Sequence, residues 1–177
     1  MKIITVFQPW ASLIAIQAKP YEFRERPYNH YINPPETGER IGIHAAQRPV
    51  RLSEVGNLLD RLDSHDPDDT PCLVEEIARP FLMRAYAWLV AEREAGLRRR
   101  RSAAVTVDTA EIAAAMGHAD ALRLPLGAIV CTAVIGKPMR GDDTFNWGWP
   151  MQDVEPVVPP FPCKGSQGWW QYNGALS

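Results

Sequence analysis

Apolar and polar positions change period several times along the chain, and each change marks an element. Residues 2–7, KIITVF, are β-branched and aromatic and predict a first strand. Pro9 suits a first helical position, where no N–H is needed. Trp10, Leu13 and Ile14 follow at helical spacing, which predicts a helix over 9–18 with those three side chains toward the core. Residues 20–26, PYEFRER, then alternate. Tyr21, Phe23 and Glu25 fall on one face and Glu22, Arg24 and Arg26 on the other, so the strand has an aromatic side, expected to face the core, and an ionic side. The Pro, Gly and polar density of 33–40 reads as a loop and turn, and RIGIHAA after it as a buried strand with His44 near its end.

From Val50 to Leu124 the pattern becomes helical, rich in Ala, Leu, Arg and Glu. This predicts a helical insert. A short helix is expected over 53–62 with Ser53 as its N-cap, then a loop over 66–71 and a longer helix over 73–96 that Pro80 kinks or divides. Asp108 and Glu111 at capping-box spacing, with Gly117 at the end, predict a third helix. GAIVCTAVIG, residues 127–136, is an unbroken apolar run between turn residues and fits a central strand. The tail beyond it is dense in Pro, Gly and Trp, with FNWGWP and KGSQGWWQY as its distinctive pieces.

Composition narrows the classes. At 177 residues and 46% hydrophobic content the chain is long enough for one globular domain with a real core. No run approaches the ~18 apolar residues of a membrane span and no signal-peptide pattern opens the chain, so a soluble, cytoplasmic protein with no membrane partner is expected. Cys72, Cys131 and Cys163 are odd in number and lack C-x-x-C spacing, which reads as free thiols. The histidines His30, His44, His65 and His118 have no mutual ligand spacing, so no metal and no cofactor is expected. A net charge of -2 gives no global positive field, and any nucleic-acid contact has to be local.

QPWASLI followed by AKPYEFRERP, then GERIGIHAA, LPLGAIVCTAVI and NWGW, in that order, resembles the ASCH domain, the activating signal cointegrator homology family of the PUA-like superfamily. The resemblance covers about residues 2–49 and 124–172 and leaves the helical insert outside it. It implies an α+β fold: a mostly antiparallel PUA-like β-barrel, capped by the N-terminal helix, with a ligand cleft between helix and barrel. The family motif of a lysine, an acidic residue three positions on and an arginine two further falls on Lys19, Glu22 and Arg24. The family is expected to bind RNA or nucleotides. A subset hydrolyses N4-acetylcytidine through a lysine, a threonine and a glutamate, and Glu22 stands where that threonine would be.

The residues themselves leave several chemistries open. Lys19 after the first helix offsets that helix's C-terminal partial charge and pairs with Glu22. Glu22 as general base with Lys19 stabilising an oxyanion would hydrolyse a nucleoside amide or RNA. The same pair, with Arg24, would equally hydrogen-bond a base. His44 reads either as a satisfied core histidine or as a phosphate or base contact. Trp147 and Trp149, on one side of an extended segment, read as packing or as a stacking platform for unpaired bases, with Trp10 opening onto the same cleft. The arginine run at 98–101 reads as a solvated loop or a phosphate track. The expected ligand-binding set is Trp10, Lys19, Glu22, Arg24, His44, Trp147 and Trp149. The expected partner is single-stranded or structured RNA, or a nucleoside-like small molecule; hydrolysis at Lys19 and Glu22, and a protein-docking role with an empty cleft, are the alternatives.

Overall fold

The computed structural model describes residues 1–64, 66, 72–101, 122–141 and 147–176, and of residues 98–101 the backbone alone. It forms two compact units, one from Met1–Pro49, Cys72–Val74 and Pro125–Ser177, the other from Val50–Pro71 and Glu75–Leu124. The third expected helix, over 108–117, lies outside the described residues, as do His65, His118 and most of the expected 66–71 loop.

In the first unit the chain runs through β1 (Lys2–Val6), α1 (Trp10–Ala15), β2 (Tyr21–Arg24) and a 3₁₀ turn (Tyr28–His30) to β3 (Arg40–Ala45). After the insert it continues through β4 (Ala128–Ile135), β5 (Met139–Arg140), β6 (Trp147–Pro162) and β7 (Trp169–Gln171). The strand order is β2-β6-β4-β3-β1-β7, with β5 also on β6. Only β1 and β3 run parallel among the described pairs. The result is a mixed α+β unit built on a curled, barrel-like sheet, with β4 in its centre as the unbroken apolar run predicts. Ile4, Val6, Ile41, Ile43, Val130, Ile135, Trp149 and Met151 form its core with Ile14 of α1.

Sequence chemistry explains how α1 is held. Gln8, itself buried, accepts from the Ser12 amide through Oε1 (3.2 Å) and donates through Nε2 to Ser12 Oγ and to the Pro125 carbonyl (2.8 Å each), which fixes the helix start to the segment leading into β4. The helix ends earlier than the spacing predicts. Gln17 takes a left-handed conformation, φ 60°, and the amides of Ala18 and Lys19 both return to the Leu13 carbonyl. Leu13 and Ile14 are fully buried, each contributing about 1.5–3 kcal/mol of transfer free energy.

The second unit holds α2 (Leu52–Leu62) and α3 (Glu75–Arg101). Ser53 is not the cap of α2: the helix starts one residue earlier, and Glu54 closes its first turn by accepting from the Arg51 amide at 2.7 Å. α3 is not divided at Pro80, its sixth residue, although an interior proline forfeits an intrahelical bond there. The arginine run at 98–101, expected as a loop, continues α3, because arginine is a strong helix former and the single Gly96 does not stop it. Arg79 ties the two helices, donating to Asp63 Oδ1 (2.7 Å) and to the Leu62 carbonyl (3.0 Å).

The Trp- and Pro-rich piece from 147 is a sixteen-residue strand, in which Trp147 and Trp149 share a side. One further expectation is corrected. The faces of β2 are inverted. Glu22 is 5% exposed and points inward, whereas Phe23 is 41% exposed and lies with Tyr21 over Gly148 on the outside. Alternation separates the two faces but does not say which is inside. Here two cations compensate the buried carboxylate, so the ionic face takes the interior.

Candidate functional site

The turn from α1 into β2 places three charges in a row. Glu22 Oε2 accepts from Lys19 Nζ at 2.8 Å, and Glu22 Oε1 accepts from Arg24 Nη2 at 2.9 Å. The Lys19 ammonium also donates to the Tyr21 carbonyl and lies between two rings, 5.5 Å from the centre of Trp10 and 5.4 Å from that of Phe23. Burial pulls the Lys19 pKa below the ordinary lysine value, with Glu22 opposing the shift. Both carboxylate oxygens are therefore committed. Arg24 emerges at the far end of this chain with Nη2 also 3.4 Å from the Thr5 carbonyl, while its buried Nε has no partner among the described residues.

Arg24 opens onto a cavity of about 470 Å³. One wall is aromatic: Trp149 stacks on Trp169 with ring centres 5.8 Å apart and planes at 18°, and Tyr31 meets Trp149 edge-on at 5.5 Å. The β2–β6 register sets this up by pairing Glu22 with Trp149 and Arg24 with Trp147, so all four side chains share one face. Trp149 Nε1 is satisfied by the Arg26 carbonyl at 3.0 Å, whereas the buried Trp169 Nε1 has no partner among the described residues. The opposite wall is the ends of β1 and β3 with residues 164–168 folded over them. No aspartate or glutamate among the described residues lines the cavity.

His44 anchors that covering segment. Its Nε2 is 3.1 Å from the Cys163 carbonyl, which makes Nε2 the protonated nitrogen of the neutral ring, and its Nδ1 is 3.3 Å from Thr5 Oγ1. Thr5 Oγ1 in turn donates to the Ser166 carbonyl at 2.6 Å and accepts from Trp170 Nε1 at 3.1 Å. Burial lowers the His44 pKa below its ordinary 6.5, the Cys163 carbonyl partly opposing. Gly165 is pressed against the imidazole: a Cβ there would stand 2.2 Å from His44 Cε1. Gly168 takes φ +73°, which turns the chain from the segment into β7.

Of the seven residues expected to bind ligand, the structure puts Arg24, His44 and Trp149 on the cavity wall. Lys19 and Glu22 lie behind Arg24, buried, and do not line the cavity. Trp10 packs under the Lys19 ammonium and Trp147 against the core, neither on the wall. The cavity is bounded by the ends of β1 and β3 and by residues 164–168 rather than by α1, whose apolar side chains pack flush on the sheet. Sequence reasoning passed over Thr5, Tyr31 and the KGSQG segment. The glycines bracketing Ser166 and Gln167 were the one available signal, since paired glycines beside a lysine mark close backbone approach. Cys72, Cys131 and Cys163 are free thiols, and burial raises that of Cys131 to about 12. No helix among the described residues is long and apolar enough to cross a membrane. No family model matches the sequence, and a search of curated proteins returns no match either.

Proposed function

We propose that the chain is an ASCH-type, PUA-like module that binds a nucleoside unit, free or within RNA, in the cavity beside Arg24. The observation carrying this reading is the cavity itself: about 470 Å³, with a stacked aromatic wall and two buried N–H donors, Arg24 Nε and Trp169 Nε1, that have no partner among the described residues. That size is in the range of small-molecule sites, and a flat ring with carbonyl acceptors is the ligand such a wall and such donors fit. The order of motifs along the chain and the barrel-like sheet both support the family reading.

Hydrolysis by Lys19 and Glu22 has less support. A general base needs a lone pair within reach of the proton it abstracts, and both Glu22 oxygens are held by cations away from the cavity. Their role in this reading is to hold Arg24 in place. A thermal-shift panel of nucleosides, modified cytidines and short RNAs tests the proposal: a ligand at about 100 times its Kd adds about 2.7 kcal/mol of stability. A flat response across the panel would leave the cavity without a nucleoside ligand and favour a protein-docking role.

A further inference from the structure

The segment over residues 164–168 has features that stacking alone does not require. Its lysine, Lys164, is exposed and has no ion-pair partner among the described residues. Thr5 Oγ1 takes the Ser166 carbonyl, pinning the segment by its acceptor side. The amides of Gly165, Ser166, Gln167 and Gly168 make no hydrogen bond to a described residue. Gly165 lets the backbone lie directly on His44, and Gly168 turns it back at positive φ. Consecutive free amides in a glycine-bearing turn form a concave donor surface suited to an anion.

The charge around the cavity agrees with this. Among the described residues two cations, Lys164 and Arg24, line it and no carboxylate does, although the chain as a whole carries a net charge of -2. The basic character is therefore local to this site. Arg24 is held by Glu22 through one terminal nitrogen, which leaves the rest of its guanidinium fork for a ligand.

We propose that residues 164–168 form a phosphate clamp, so that the ligand is a phosphorylated nucleoside whose phosphate lies between Lys164, Arg24 and the amides of the segment. This rests on the nucleoside reading above and narrows it. The phosphate belongs either to a free mononucleotide or to a nucleotide of an RNA strand, and the chemistry at the clamp is the same.

Calorimetric titration of the full chain separates the possibilities. The probes are the four ribonucleosides, their 5′-monophosphates and a single-stranded RNA hexamer. The best monophosphate is expected to bind at least about tenfold more tightly than its nucleoside, because charge-assisted hydrogen bonds are the strong ones. Lys164→Ala should reduce that ratio to about twofold or less, and Lys164→Glu should invert it. A hexamer that outbinds the monophosphate assigns the phosphate to RNA, and the reverse assigns it to the free nucleotide. Equal affinity for nucleoside and monophosphate, or a ratio that Lys164→Ala leaves unmoved, overturns the clamp while keeping the nucleoside site. Binding of none of these probes overturns both.

Discussion

Glu22 is the residue on which the site's geometry turns. It is almost fully buried, and it neutralises Lys19 on one side while fixing Arg24 on the other. Glu22→Gln removes the charge and leaves Lys19 and Arg24 without the carboxylate that pairs both. Loss of one partner of a buried pair costs about 3–5 kcal/mol, which a shift of the urea midpoint will report. His44 gives a pH signature. Its pKa is lower folded than unfolded, so the stability it contributes is complete above 6.5 and is lost as the pH falls below that value toward the folded pKa. The difference in melting temperature between the parent and His44→Gln is expected to shrink as the pH drops from about 7 to 5. The charge cluster was legible in the sequence because period-2 alternation puts Glu22 and Arg24 on one face beside Lys19. Its inward direction was not, since that depends on Trp149 pairing opposite Glu22 from the far end of the chain.

Elements carry two further tests. Gln17 ends α1 with φ 60°, a conformation that costs a residue with a Cβ about 1 kcal/mol or more. Gln17→Gly is expected to raise stability by roughly 0.5–1 kcal/mol, the gain reduced by the greater freedom of glycine in the unfolded chain. Gly165→Ala is expected to act in the opposite sense. A methyl 2.2 Å from the His44 ring must displace the covering segment, costing about 1–3 kcal/mol of stability and weakening ligand binding with it. Both changes are checked by thermal melts alongside the titrations. Three strands were readable from β-branched, apolar runs and β2 from alternation, but β6 was not, because prolines at 150, 156, 159, 160 and 162 argue against a strand. Those beyond Pro150 are tolerated since β2 and β5 cover only residues 147–150 of β6 and, among the described pairs, the rest meets β4 alone, with a register shift that leaves 157–160 without a β4 partner. The extension of α3 through the arginines was missed for a related reason: Gly96 reads as a stop, yet one interior glycine costs only about 1 kcal/mol.

For the whole molecule, the central apolar strand followed from periodicity and the α+β class from the family resemblance, whereas the cavity followed from neither. Its walls come from residues near 5, 24, 31, 44, 149 and 165, and only the folded sheet brings them together. A net charge of -2 with a local pair of cations predicts modest ionic sensitivity. The logarithm of hexamer affinity against the logarithm of salt concentration is expected to have a slope of about -1 to -2, far below that of proteins that track a long phosphate backbone. The most direct measurement of the central claim is a ¹H–¹⁵N spectrum of the tryptophan indoles during titration with the best-binding nucleoside or nucleotide, the Trp169 signal being assigned by Trp169→Phe. The indole N–H of Trp169, buried and without a described partner, should shift saturably as the ligand takes it as a donor, while that of Trp149, held by the Arg26 carbonyl, should move less. A ligand that binds and leaves the Trp169 signal in place would contradict the assignment of the cavity as the site.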